Sequence, residues 1–500
     1  TTSAEQECVD NPDYDAEVDS DEDGISDETR FYYYREYEAR AFIEIDGNPT
    51  LVTPPEASLS FTPVDDDDME VTDATFNVGG FSLAADIDKT FTYATGYASV
   101  DFTETTKDYL QGCYDSPGDD GARPIEACVQ NLKNNGLVGY QNRAMRWTLS
   151  NGEVSLAEEL PQGFTPAEDD TNNYISQGLG INEAGYVVGR AYRSSAGLED
   201  EPNLIDSSLW ATLWTPADDI IFVGPTVSNS DAISESILEE INNNNYAIGT
   251  VKQYINGYER NKFGYVLVPD KLEAGSELTF IEPLDLYSSR SDLSSRARSI
   301  NDNDQVVGYI EVDLERQLPR STHGFIYDIT NDEFSNINEL LTCNSRALIE
   351  SADGTYSKAV ITDSDNFSEV ISYETSIEIV DINEINDEGY IAATALVTLP
   401  KVLVETELVY DEDGTYQGTR DVIVVGDNGK PVVEQTANGG YATDQVPRSV
   451  LLKPTDVADI CAAPVTTGLA SEPVVRQGAA INPLWCLLSL PLLWWRRRKN

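Results

Sequence analysis

Apolar and polar residues alternate over short stretches throughout this chain, and the alternation returns at regular intervals. Four stretches share one phrase, Ile-Asn-x-x-Gly-x-Val-Val-Gly, at Ile181 to Gly189, Ile241 to Gly249, Ile300 to Gly308 and Ile385 to Ala393. In each, apolar runs flank a polar middle whose fifth position is Gly185, Asn245, Asp304 or Gly389. These residue types most readily take positive φ, so each phrase predicts a β-hairpin with its tip at that position. A second phrase recurs downstream: a basic or polar residue, a small one, then alternating aromatic and aliphatic positions. It reads Arg143 to Trp147, Trp210 to Trp214, Lys262 to Val266 and His323 to Tyr327, with Arg40 to Glu44 early and Arg448 to Leu452 late. Each copy predicts another half-buried strand, and turn pairs such as Asp46-Gly47 and Asn151-Gly152 lead on to a further one. Two hairpins per unit make a four-stranded meander.

The tips at 181, 241 and 300 are 60 and 59 residues apart, while the step to 385 is 85, which predicts an insertion in that unit. Leu132 to Gly139 reads as a degenerate copy one residue short, and Lys89 to Tyr93 marks a further unit. Dividing residues 36–462 by about 60 gives roughly seven units. Such repetition predicts an all-β chain folded as a β-propeller of about seven (six to eight) four-stranded blades, because closure protects sheet edges. The strands at Arg40 and Arg448 would share one blade and lock the ring. At these residues the chain resembles the HAF-type extracellular repeat, whose units read Ile-Asn-x-x-Gly-x-Val-x-Gly and then His-Ala-Phe-x-Trp. It is also similar to an uncharacterised family of exported gammaproteobacterial proteins, a domain of unknown function built from such repeats. The resemblance spans about residues 36 to 455. It implies an exported β-rich protein and carries no catalytic residues with it.

Charge narrows the partners. With 32 basic against 88 acidic residues the net charge is −56, and Asp65 to Asp68 form an unbroken carboxylate run. Such a surface repels nucleic acid and anionic lipid and excludes nucleic-acid partners, whose affinity comes largely from Lys and Arg. It favours solubility and cations. Near the N-terminus, Asp19, Asp21, Asp23, Ile25, Asp27 and Glu28 surround Gly24 at a spacing that wraps oxygens around a hard cation such as Ca²⁺. Arg30 stands where an EF-hand places its bidentate Glu, which argues against an ordinary EF-hand. The segment looks like the short Asp-x-Asp-x-Asp-Gly-x-x-Asp calcium repeats of thrombospondin type 3 and bacterial surface proteins. The alternative is an acidic leader without metal.

Cysteines and chain ends bear on location. Cys113 and Cys128 flank a turn-rich segment, and a disulfide there would close a loop of about 15 residues and contribute roughly 3 kcal/mol in the chain-entropy model. Cys8, Cys343 and Cys461 remain outside the apolar tail, an odd number whose pairing spacing does not decide. The chain starts at Thr1 without an apolar leader, as a mature exported product would. At the other end Pro483 to Trp495 is an apolar run followed by Arg496 to Lys499. It is shorter than the roughly 17 to 25 residues of a comfortable transmembrane helix, and the basic cluster fits the cytoplasmic side of a membrane. This tail resembles bacterial C-terminal sorting signals of the GlyGly-CTERM type, with Gly478, Ala479 and Ala480 in place of the Gly-Gly pair. The resemblance implies a rhomboid-type sorting protease, a short hydrophobic helix initially in the inner membrane of a Gram-negative bacterium, and a mature protein in the periplasm, on the outer surface or secreted. The expected organisation is an acidic segment over 1–35, a propeller over 36–462, a linker over 463–482 and a sorting tail over 483–500.

His323, the single histidine, occupies the first position of the second phrase, where other copies carry Arg40, Arg143, Lys262 and Arg448, so it reads as a structural repeat residue. One histidine excludes His-rich zinc sites and argues against a Ser-His-Asp triad. No catalytic residue is assigned. The reading is an exported, non-enzymatic repeat protein that binds an unknown protein or glycan or has a structural role, with Ca²⁺ as cofactor. The alternative is a glycoside hydrolase or lyase working with two carboxylates on the same scaffold.

Overall fold

The structure is a computed structural model. It describes residues 33–465 except 37, 46, 53–58, 66, 68, 116–123, 167–170, 195–204, 225–232, 256, 270–271, 273–276, 287–290, 314–318 and 411–415. The protein is mostly β, as its alternation predicts. The described strands form nine separate sheets of two to five strands, and the chain divides into two units, residues 1–253 with 264–282 and residues 254–263 with 283–500.

In the first unit, β1 (Ala41–Ile45) and β2 (Asn48–Val52) form a hairpin, and β3 (Ser60–Phe61) pairs β4 (Phe76–Asn77). A four-stranded meander follows: β5 (Ser82–Ile87), β6 (Tyr93–Phe102), β7 (Tyr140–Ser150) and β8 (Glu153–Glu159). Helices α1 (Glu104–Asp115) and α2 (Ile125–Asn134) are inserted between β6 and β7. Next come β9 (Ser176–Ile181), β10 (Val187–Ser194), β11 (Ile205–Trp214) and β12 (Ile220–Gly224), and after them β13 (Ile233–Ile241), β14 (Tyr246–Ile255) and β15 (Tyr258–Leu267). The short β16 (Leu278–Thr279) adds to β12 in parallel. The division between the units falls within the β13-β14-β15 sheet.

The second unit contains a four-stranded meander of β17 (Ser295–Ile300), β18 (Gln305–Glu311), β19 (Thr322–Asp328) and β20 (Glu333–Asn336). The long step to the fourth tip holds a separate sheet of β21 (Leu348–Glu350), β22 (Tyr356–Asp363) and β23 (Ile371–Thr375). Then β24 (Ile377–Ile385) and β25 (Ile391–Pro400) pair, a protruding hairpin of β26 (Val404–Tyr410) and β27 (Tyr416–Ile423) intervenes, and β28 (Thr443–Leu452) returns to β25. The Arg448 strand therefore completes the sheet of the fourth tip and does not share a sheet with the Arg40 strand, which pairs β2. Its ten-residue register with β25 accounts for this: β28 is the third strand of its own meander, displaced along the sequence by the β26-β27 insertion.

All four Ile-Asn phrases are hairpin tips. Gly185, Asn245, Asp304 and Gly389 have φ of 81°, 65°, 60° and 77°, and the phrase's Asn accepts the N–H four residues on, at Tyr186 (3.1 Å), Tyr246 (2.9 Å), Gln305 (3.0 Å) and Tyr390 (2.8 Å). Asp88 does the same for a fifth tip, accepting from Tyr93 N at 2.7 Å around Phe91 at φ 55°. The terminal glycine has a separate cause. The strand facing it carries a bulge, and a Cβ at Gly96, Gly189, Gly249 or Gly308 would lie 1.9 to 2.0 Å from a carbonyl oxygen of that strand. Only the residue without a side chain fits there.

A serine five positions before the isoleucine locks neighbouring strands at four of the five tips, Ile385 having Val380 there. In the first unit the Oγ atoms of Ser82, Ser176 and Ser236 accept from Ala41 N (3.1 Å), Ala144 N (2.9 Å) and Ala211 N (3.0 Å). In the second, Ser295 accepts from Phe263 N at 3.1 Å. Each bond joins the opening strand of one meander to a second-phrase strand before it, between buried apolar faces. One such core holds Ala144, Leu160, Ile181, Val187, Ala191 and Trp214, and another in the second unit holds Ile337, Ile379, Ile382, Ile385 and Ala393.

Leu132 to Gly139 is not a hairpin tip. It is the end of α2, where Gly136 at φ 66° closes the helix with Gly136 N donating to Lys133 O and Leu137 N to Leu132 O, each at 3.0 Å. Asn-Gly supplies positive φ to a helix stop as readily as to a hairpin, which is why the two look alike in sequence.

Candidate functional site

The insertion between β6 and β7 forms one side of a concave site. Thr103 Oγ1 accepts from Thr106 N at 3.4 Å at the start of α1, and Thr106, Leu110 and Cys113 fall on one buried face at helical spacing. Leu110 and Val129 of α2 pack with Leu59, Val78, Phe102 and Tyr140. Cys113 and Cys128 are disulfide-bonded with Cα atoms 5.9 Å apart, joining the two helices.

Beside this insertion lies an open cleft of about 350 Å³. Lys133 of α2 and the turn at Gly136 to Gly139 form one wall; Tyr97 of β6, Tyr140 and Asn142 of β7 and Gln177 of β9 form the other, with Glu38 and Phe81 between. Lys133 is 5% exposed, and its Nζ donates to Arg35 O at 3.0 Å. Burial pulls its ammonium below the ordinary lysine range, against the opposing effect of the Glu38 carboxylate. Tyr140 Oη donates to Gly79 O at 3.1 Å, and burial raises the phenol well above its usual range. Gln177 Oε1 accepts from Arg190 Nε at 2.8 Å. Asn142 Oδ1 is sealed from solvent and has no hydrogen-bond partner.

Other expected sites lie elsewhere. Asp19, Asp21, Asp23, Ile25, Asp27 and Glu28, like Gly478, Ala479, Ala480 and the expected C-terminal helix, fall outside the described residues. Among the described residues no group of three or more His, Cys, Asp and Glu side chains is placed to hold a metal, and no helix is long and apolar enough to cross a membrane. Cys343 pairs with Cys461, a closure the sequence left open. His323 is 2% exposed, with Nδ1 2.8 Å from Asn336 Nδ2 and Nε2 2.6 Å from Glu378 Oε1, so both ring nitrogens are occupied inside the second unit.

The cleft was missed in sequence because its walls come from an insertion read as part of the repeat. Thr103, the helical spacing of Thr106, Leu110 and Cys113 and the stop at Gly136 were the available signals.

Bulged, serine-locked meanders with a disulfide-tied helical insertion define the class: a mostly β repeat protein that carries a concave site on a graft. The chain belongs to the family described as protein of unknown function (DUF3466), whose model matches residues 12–498. No curated protein and no solved structure matches it.

Proposed function

We propose that this is an exported, non-enzymatic binding module whose meanders are the blades of a propeller and whose ligand occupies the cleft beside α1 and α2. The cleft itself, lined by Tyr97, Lys133, Tyr140 and Gln177 beside a disulfide-tied insertion, carries the reading. Glu38 is the single carboxylate among the described lining residues, and the paired carboxylates of glycoside hydrolysis would need a second, which favours binding over catalysis. The disulfides Cys113–Cys128 and Cys343–Cys461 fit an oxidising, extracytoplasmic compartment. Serine locks that repeat from sheet to sheet in the first unit, with one more in the second, support the propeller reading, and the apolar run at Pro483 to Trp495 supports a membrane-sorting tail cut near Gly478 to Ala480.

The test is a binding screen of the full chain against glycans, peptides, amino acids and nucleotides, read by hydrogen exchange. A ligand should protect peptides containing Tyr97 and Lys133 to Asn142; if no compound of any class does so, the reading falls. Calcium at Asp19 to Glu28 belongs to the same proposal as a brace for the N-terminal segment. Calcium should raise the melting temperature of the wild type and not of Asp21→Ala, and equal shifts in both would remove the ion from that site.

A further inference from the structure

We infer that Arg346 and the disulfide Cys343–Cys461 form a latch that holds a strap against the second unit, the guanidinium being its reversible half and the disulfide its redox-sensitive half. The latch goes beyond the binding reading and does not depend on it. After β28 the chain runs from Lys453 to Asp459 through residues that are all exposed, Val457 at 80%. Along this strap Pro454 lies against Gly389 of the fourth tip, and Asp456 caps the short 3-10 turn Val457–Asp459 by accepting from Ala458 N at 3.0 Å. The chain then meets the body again. Ile460 bridges Thr342 in antiparallel fashion, Cys461 N donates to Leu341 O at 2.9 Å, and Cys461 and Ala463 are buried.

The receiving side is a single helical turn. Thr342 Oγ1 accepts from Ser345 N at 3.1 Å and Thr342 O from Arg346 N at 3.1 Å, so Cys343 and Arg346, three residues apart, fall on one side of it. Cys343 reaches Cys461, with Cα atoms 4.6 Å apart, and the buried Arg346 guanidinium donates to Ala463 O through Nη1 and to Pro464 O through Nη2, the latter at 3.0 Å. A planar fork of donors serves two carbonyls at once, where an ammonium is one point charge. The two halves guard each other. In reduction by a dithiol, one thiolate attacks the half-buried Cys343 Sγ, the S–S bond breaks and Cys461 leaves as a thiolate that takes up a proton; the second thiol then displaces Cys343, giving two protein thiols and the oxidised dithiol. A thiolate is disfavoured in the sealed position of Cys461, so reduction proceeds from the lifted strap, and Arg346 opposes the lifting. With the disulfide cut, the guanidinium, the Ile460 bridge and the Cys461 amide still close the strap reversibly. The β24-β25-β28 sheet has its own pairing and stays formed in either state.

The experiment follows reduction of the full-length protein by dithiothreitol under native conditions, quenched by alkylation and read by peptide mass spectrometry, with Cys113–Cys128 as internal control. Cys343–Cys461 should open at least about tenfold faster in Arg346→Met than in wild type, because charge-assisted bonds are lost from a local closing equilibrium, while Cys113–Cys128 changes by less than about twofold. Arg346→Lys, which keeps the charge and loses the fork, should fall between them. Hydrogen exchange on reduced wild type tests the reversible half without any substitution. Peptides containing Ile460 and Cys461 should exchange faster than in the oxidised protein and slower than in reduced Arg346→Met, while peptides of β24, β25 and β28 keep their protection. An unchanged or lowered reduction rate of Cys343–Cys461 in Arg346→Met would take the guanidinium out of the latch. Protection lost throughout β24, β25 and β28 on reduction would show the disulfide bracing the sheet and no separate strap. Should Arg346→Met fail to fold, reduced wild type decides: exchange at Ile460 and Cys461 as fast as in unfolded chain would leave the disulfide as the sole fastening and overturn the inference.

Discussion

Two of the insertions among the described residues enter at the same point of the repeat, between the second and third strands of a meander, and meet opposite fates. In the first unit the α1-α2 insertion follows β6 and turns its apolar face inward, so that Leu110 is fully buried and Val129 and Cys113 are nearly so. In the second unit the β26-β27 hairpin follows β25 and alternates just as regularly, yet Val404, Leu408, Tyr410, Tyr416 and Ile423 remain about half exposed. The graft point is permissive because the flanking strands are already held: β7 by β6 and β8, and β28 by ten consecutive partners on β25. What differs is what the insertion finds beneath it. The helices meet Leu59, Val78, Phe102 and Tyr140 and are clipped by Cys113–Cys128; the hairpin's own pairing is its main support among the described residues. The first is built as part of a core and forms a cleft, and the second presents an apolar face.

The largest test of this contrast is a pair of truncations. Leu110→Ala removes a fully buried side chain from a packed cluster and should cost about 3 kcal/mol of unfolding free energy. Leu408→Ala removes a chemically identical group at 59% exposure and should change stability by less than about 0.5 kcal/mol. Urea denaturation of both variants measures the difference. A loss at Leu408 as large as at Leu110 would mean that the hairpin face is covered in the folded protein and that the contrast is false.

Much of the strand architecture was legible because its causes are local. Asn182, Asn242, Asn301 and Asn386 each hold a turn whose fifth residue needs positive φ, and the ninth-position glycines answer to a carbonyl oxygen less than the width of a methyl group away. The fifth tip was harder to see because Thr92 adds one residue to the phrase, moving Ile87 to face Ala94. The Arg448 strand was assigned to the wrong sheet for a non-local reason, since nothing in Arg448 to Leu452 records that its partner is β25 on the far side of an inserted hairpin. The α1-α2 insertion was hidden by chemistry shared between motifs, Asn-Gly serving both hairpin and helix stop. Local signals marked the insertion that walls the cleft but not its lining, because Glu38, Tyr97, Lys133, Asn142 and Gln177 are far apart in sequence and only the fold gathers them.

The smallest expected effect is a pH dependence confined to the helical insertion, and it follows from one lysine and one phenol. Burial lowers the Lys133 pKa below 10.5 in the folded state, so as pH rises towards 10.5 the folded protein loses this proton before the unfolded chain does. The unfolded state then binds more protons, and stability rises with pH across the window between the folded pKa and 10.5; below it the penalty of a buried ammonium is present in full. Tyr140 works in the opposite sense. Its folded pKa lies above 10.0, so beyond pH 10 the unfolded chain ionises first and stability falls. Comparing unfolding free energies from pH 8 upward, Lys133→Met should lack the rise that wild type shows approaching 10.5, and Tyr140→Phe should lack part of the fall above 10. The same scan on Leu408→Ala should follow wild type throughout, because the substitution alters no ionisable group. A rise of undiminished size in Lys133→Met would mean that the lysine is solvated in the native state, and the contrast between a packed insertion and an exposed hairpin would lose that support.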